Sequence, residues 1–128
     1  MTLKEKIKLV ANILDELVDF GKIAKGIKNV ILKTLMASIE AFDGMLFNLL
    51  LSAVIDKIPE KELPLIEAYL DAIIARDYNL AVKGSAEFIN TILNIPGSTE
   101  DEELQAIQGN LVLMVNFAKH KFQKKIAA

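Results

Sequence analysis

The side chains of this sequence that are able to do nucleophilic, acid–base or metal chemistry form no motif that commits the chain to a reaction. The 128 residues contain one histidine, His120, and no cysteine. A histidine pair for a metal ion and a Cys–His dyad are therefore both excluded. His120 lies between Lys119 and Lys121, where we expect a solvated imidazole. Catalysis through it requires an acidic partner from elsewhere in the fold.

Two groups of carboxylates have spacings that are of interest for a metal site. The acidic run 100–103 lacks the spaced oxygen ligands and the turn glycine of a calcium-binding loop. Glu67 and Asp71 lie four residues apart, so a helix places them on one face. The Glu-x-x-His companion of helical carboxylate sites is missing. We interpret the run as the start of a helix and the pair as an outward acidic face, and we predict neither a metal site nor a cofactor.

The sequence also offers little for binding phosphates or nucleic acids. Its six glycines form none of the spacings of a phosphate-binding loop. Only one of its fifteen Lys and Arg residues is an arginine, the residue that reads bases and phosphates with two hydrogen bonds. We therefore predict that the chain is not an enzyme and binds no nucleic acid specifically. The lysines of residues 119–125, with Phe117 and Phe122, could touch a membrane surface, but the end of a core-facing stripe explains these phenylalanines more simply.

Composition and charge indicate one folded domain, residues 1–128. Hydrophobic residues make up 52% of the chain and charged residues 25%, which is typical of a globular protein. The net charge is −9 over residues 34–118 and positive at both ends. Such ends could steer head-to-tail contacts between molecules, although solvated tails are the commoner case. The absence of cysteine and of a secretory signal predicts a cytoplasmic protein.

The periodicity of apolar residues predicts an all-α fold, an irregular bundle of about five helices around a long central helix at about 27–58. A capping box at Thr2 and Glu5 marks the first helix. Pro59 ends the central helix, and we expect Ser98 or Thr99 to cap the last one. The sequence leaves open whether residues 20–26 break a helix or only kink it.

The second half of the central helix is apolar on two opposite sides. We expect the first side to face the core. Its members lie in one arc at helical spacing: Leu35, Ile39, Phe42, Leu46, Leu49, Leu50 and Ala53. The second side follows the spacing i, i+4, i+7, i+11: Phe47, Leu51, Val54 and Ile58.

Two situations explain a second apolar side: neighbours from the same domain cover it, or another chain or a ligand does. Burying four such side chains is worth roughly 6–12 kcal/mol, so we do not expect a monomer to leave them exposed to solvent. A membrane span is a poor explanation, because the apolar run falls well short of the ~20 residues that cross a bilayer.

These considerations favour a non-catalytic interaction or assembly module. We predict a homo-oligomer, or binding to another protein, through the second apolar side, with these partner-binding residues: Phe47, Leu51, Val54 and Ile58. The alternative is a helical pocket for a small apolar ligand. Asn48 and Ser52 then supply the few polar groups that orient it.

Overall fold

Helices dominate the part of the chain that the computed structural model describes, which is residues 1–17 and 43–128. Five α-helices occur in these ranges: α1, Leu3–Leu17; α2, Asp43–Val54; α3, Leu63–Ile74; α4, Tyr78–Leu93; and α5, Glu102–Ala127. Single 3-10 turns cover Ile55–Lys57, Glu60–Glu62 and Ser98–Glu100. No β-strand occurs in the described ranges, and the predicted all-α fold is confirmed.

The first helix begins at the predicted capping residue. The amide of Glu5 donates to Thr2 Oγ1 at 3.1 Å, and the Thr2 hydroxyl donates to Glu5 Oε1 at 3.1 Å. Thr2 therefore satisfies one free amide of the first turn. In a full capping box, the carboxylate of Glu5 accepts from the backbone amide of Thr2. Here it accepts from the hydroxyl of Thr2 instead.

The described part of the predicted central helix ends one turn early. α2 stops at Val54, a 3-10 turn follows, and Ile58 has an extended backbone with φ −80° and ψ 130°. A residue that precedes proline is pushed out of the helical region by the proline ring, and Pro59 follows Ile58. Residues 27–42 of the predicted helix, and the break or kink at 20–26, lie outside the described residues.

The contacts between helices set their arrangement. α4 packs on both α3 and α5, and α1 packs on both α2 and α3. The ring of Tyr78, at the start of α4, stacks on Phe122 near the end of α5 with centroids 5.5 Å apart. At the other end, Gln108 Nε2 of α5 donates to the Ile92 carbonyl of α4 at 2.8 Å. α4 and α5 are therefore antiparallel.

The cap of α5 differs from the prediction. Asp101 Oδ1 accepts from the amide of Leu104 at 3.0 Å, and Asp101 has the extended backbone of an N-cap residue. Ser98 and Thr99 belong to a 3-10 turn just before it. The expectation that Ser98 or Thr99 caps α5 is thus wrong, because this turn delays the start of the helix.

The end of α3 holds a non-glycine residue in the left-handed region. Arg76 has φ 55°. Its amide donates to the Ile73 carbonyl at 3.0 Å, and the amide of Asp77 donates to the Ala72 carbonyl at 2.9 Å. These two bonds define a Schellman motif, in which glycine usually occupies the position of Arg76. The sequence gives no signal for this motif because the glycine is missing.

We expect Arg76→Gly to raise the free energy of unfolding by up to about 1 kcal/mol. A left-handed conformation strains a side-chain-bearing residue by roughly 1–2 kcal/mol, and the extra backbone freedom of glycine offsets about 0.5–1 kcal/mol. The lost ion pair with Glu16, at 4.0 Å between exposed side chains, is worth little. Urea denaturation measures the change. Arg76→Ala, which keeps the strain, is the control, and equal stability of the two variants contradicts the prediction.

Candidate functional site

The four predicted partner-binding residues lie inside the chain's own core. Phe47, Leu51 and Val54 are 0% exposed, and Ile58 is 5% exposed. They belong to one hydrophobic cluster with buried residues of the other helices, and α2 packs against α1 and α5. This corrects the sequence-based assignment: the four side chains present no surface to a second molecule, because helices of the same domain already cover them.

The opposite side of α2 faces outward. Met45 is 65% exposed and Leu49 56% exposed, and Ala53 is exposed one turn further on. Leu46 and Leu50 flank them and are half-buried. Of the predicted core-facing side, Leu49 and Ala53 are therefore exposed, whereas Leu46 and Leu50 still pack against the core. The outward set is called the α2 outer face below: Met45, Leu46, Leu49, Leu50 and Ala53.

A close contact between α1 and α2 decides which side faces inward. A Cβ atom placed on Gly44 meets the backbone carbonyl of Ala11 and lies 2.7 Å from Asp15 Oδ2. The Gly44 amide also donates to the Asp15 carboxylate, which joins α1 to α2 at this point. Gly44 stands three residues before Phe47 and seven before Leu51, so these residues share a side. That glycine was the available sequence signal for the inner side.

Asn48 and Ser52 form the polar border of the α2 outer face. Ser52 Oγ donates to Asn48 Oδ1 at 3.2 Å, and both residues are half-buried. They are one helical turn apart and bond along the same helix. The hypothesis of a ligand pocket requires the Ser52 hydroxyl to donate to a ligand. In the structure this hydroxyl donates to Asn48 of the same helix.

The carboxylate pair Glu67 and Asp71 has a lysine between its members. Lys6 Nζ lies 2.7 Å from Glu67 Oε1 and 2.9 Å from Asp71 Oδ1, and its side chain is only 16% exposed. The hydrogen bonds to Glu67 and Asp71 raise the pKa of the Lys6 ammonium. The ammonium of α1 occupies the space between the carboxylates and joins α1 to α3. No group of three or more metal-binding side chains lies close enough for an ion within residues 1–17 and 43–128.

The residues of the basic end of α5 are divided between surface and core. His120 is exposed, as predicted. Phe122 is fully buried against Tyr78 and does not reach the surface, so it is no part of an amphipathic membrane tail. In the part of the chain that the structure describes, no helix combines the length and the apolar character needed to cross a bilayer.

Tyr69 is the one fully buried ionisable side chain among the described residues. Its ring lies 4.6 Å from that of Phe88, and its hydroxyl forms no hydrogen bond with any described residue. Burial raises the pKa of Tyr69 above the ordinary tyrosine value. The phenol therefore stays protonated at neutral pH and acts as a large core side chain, not as a base.

Compared with models of protein families, with curated proteins and with solved structures, the chain gives no match. Other large apolar side chains are exposed on the described helices, namely Leu65, Leu80, Leu93 and Ile126. Single exposed side chains of this kind are normal on a monomer. The α2 outer face differs because two exposed side chains lie one turn apart and are bordered by two half-buried leucines.

Proposed function

We propose that this chain is a non-catalytic interaction module that binds a protein partner through the α2 outer face. The observation that carries the proposal is the exposure of Met45 and Leu49, each more than half accessible on one side of the same helix. Full burial of such a side chain is worth about 1.5–3 kcal/mol. Burying the exposed parts of both side chains in a complex therefore contributes on the order of 2–3 kcal/mol to the free energy of binding.

The non-catalytic part of the proposal rests on the side chains that the whole sequence contains. The sequence contains one histidine, which is exposed, and no cysteine, so it holds neither a histidine pair for a metal ion nor a Cys–His dyad. Within residues 1–17 and 43–128, Lys6 forms ion pairs with both Glu67 and Asp71, so the charges of this cluster are paired with one another. Those contacts stabilise the α1–α3 packing and direct the lysine to the carboxylates and not to a substrate.

The shape of the α2 outer face indicates the kind of partner. Its exposed members follow the spacing i, i+4, i+8, so they form one stripe along the helix. Asn48 and Ser52 border one edge of that stripe with polar groups, as the polar rim of an interface does. A helix or groove with a matching apolar stripe fits this surface best. We expect binding to show a negative heat-capacity change.

A pair of matched variants tests the proposal. Leu49→Glu places a charge in the middle of the α2 outer face, and Leu80→Glu places the same charge on α4 at a leucine of nearly equal exposure, 53%. Because both sites are exposed, we expect each variant to fold with a stability within about 0.5 kcal/mol of the parent. We expect Leu49→Glu alone to lose association, with an affinity reduced about tenfold or more.

Two measurements read the result. Sedimentation velocity over a range of concentrations reports self-association, and affinity retention from an extract of the native source reports binding to other proteins. The proposal requires a signal that the parent and Leu80→Glu share and Leu49→Glu lacks. Equal behaviour of all three chains in both measurements rejects the α2 outer face as a binding surface.

A further inference from the structure

We propose that Met45 is an oxidative modification site: a hydroperoxide converts its thioether to a sulfoxide, and this change weakens binding at the α2 outer face. The effect on binding rests on the proposed function, whereas the modification itself does not. The sequence contains four methionines and no cysteine. All of its sulfur atoms are therefore thioethers, so a peroxide that oxidises sulfur in this chain oxidises methionine.

The structure separates the methionines by their exposure. Met45 is 65% exposed, whereas Met114 is 1% exposed. Met1 is also exposed but lies outside the described helices, and Met36 lies outside the described residues. An oxidant must reach the sulfur atom, so the rate of oxidation follows exposure. Among the described helices, α2 is therefore the one that presents a reactive sulfur to solvent.

The reaction is the transfer of one oxygen atom. The sulfur of Met45 attacks the terminal oxygen of the hydroperoxide, the O–O bond breaks and an S–O bond forms. Sulfur loses two electrons, and the hydroperoxide gains them and leaves as water or an alcohol. The proton of the transferred hydroxyl ends on the leaving oxygen. The hydroperoxide is both the oxygen donor and the oxidant, so the step needs no other reagent.

The position of Met45 directs the effect to the surface and not to the fold. Met114 belongs to the hydrophobic core cluster, whereas Met45 faces outward one turn before Leu49 on the exposed stripe. A sulfoxide is polar, and methionine oxidation disrupts apolar contacts of the side chain. Against an apolar partner, its oxygen loses water without gaining a hydrogen bond, which costs free energy. Oxidation therefore weakens binding and leaves the helix packing intact.

Peptide mapping by mass spectrometry tests the modification without any partner. The folded chain is treated with dilute hydrogen peroxide, and the added oxygen is followed at each methionine. We expect Met45 to be oxidised about tenfold or more faster than Met114, because burial shields the second sulfur. In urea, where the chain is unfolded, the two rates are expected to become similar. Equal rates in the folded chain overturn the modification site.

Met45→Leu is the matched control for the effect on the surface. This variant keeps an apolar side chain at the site and keeps the other three methionines, but it cannot form the sulfoxide. Retention on a phenyl column reports the exposed apolar surface, and the association measurements described above report binding. Each is compared before and after peroxide within one chain, because leucine itself alters the α2 outer face. We expect peroxide to weaken association of the parent about tenfold or more and to shorten its retention, with much smaller changes in Met45→Leu.

The outcomes separate this inference from the proposed function. If peroxide changes retention and association equally in the parent and in Met45→Leu, the sulfoxide of Met45 is not the cause and the inference is overturned. A lower urea midpoint in the oxidised parent alone means that oxidation acts through the fold, which also overturns it. If Leu49→Glu abolishes association but peroxide does not weaken that of the parent, the redox effect is rejected and the proposed function stands. If no chain associates, the proposed function and the effect on binding both fail, while mapping still decides whether Met45 is the modification site.

Discussion

Phe47→Ala is expected to lower the free energy of unfolding by about 3–5 kcal/mol, and Leu49→Ala to change it by less than about 1 kcal/mol. The two residues lie two positions apart on α2, and Phe47 is fully buried whereas Leu49 is more than half exposed. Removing the phenyl ring loses its burial and leaves a cavity that the surrounding helices fill only in part. Truncating Leu49 removes few contacts, and alanine favours the helix slightly.

Urea denaturation followed by circular dichroism measures both changes, provided that the slope of the transition is the same for each chain. The sequence-based assignment of the two sides predicts the opposite order, with Leu49 in the core and Phe47 against a partner. Equal losses for the two variants, or a larger loss for Leu49→Ala, show that the described orientation of α2 is wrong.

The reason that periodicity predicted α2 but not its inner side is physical. Both sides of this helix carry large apolar residues, so the pattern gives two directions of nearly equal weight. The choice depends on a tertiary contact, the close approach of Gly44 to Ala11 of another helix. Apolar spacing says nothing about such a contact. A glycine on one side of an apolar helix was the only local indication.

The same contrast between local and tertiary causes holds elsewhere in the fold. The capping pattern at Thr2 is local, and the structure confirms Thr2 as the cap of α1. On α5, the apolar Ile107 is only half-buried, whereas the polar Gln108 next to it is buried. Its amide nitrogen donates to the Ile92 carbonyl at the end of α4, a group that the helix itself leaves unpaired. Gln108 is buried because it has this hydrogen-bond partner, which lies sixteen residues away in the sequence. A local sequence pattern therefore does not predict its burial.

Gly44→Ala is expected to destabilise the fold by about 1–3 kcal/mol or more, although alanine is the better helix former by about 1 kcal/mol. The added methyl group lies 2.7 Å from Asp15 Oδ2 and 2.8 Å from the carbonyl carbon of Ala11. The Asp15 side chain is able to rotate away, but the Ala11 backbone is fixed within α1. Relief therefore requires α1 and α2 to separate, which loosens the packing around Ala11.

Two other helical glycines provide the controls for this substitution. A Cβ atom on Gly109 of α5 meets nothing within 4 Å, so Gly109→Ala is expected to stabilise the protein by about 0.5–1 kcal/mol. A Cβ atom on Gly84 meets Tyr69 at 3.6 Å or more, an ordinary contact, and we expect little change there. The order of unfolding midpoints in urea should therefore be Gly109→Ala highest and Gly44→Ala lowest. If Gly44→Ala is as stable as Gly109→Ala, then α1 and α2 do not approach each other at this residue, and the inner side of α2 is not fixed by it.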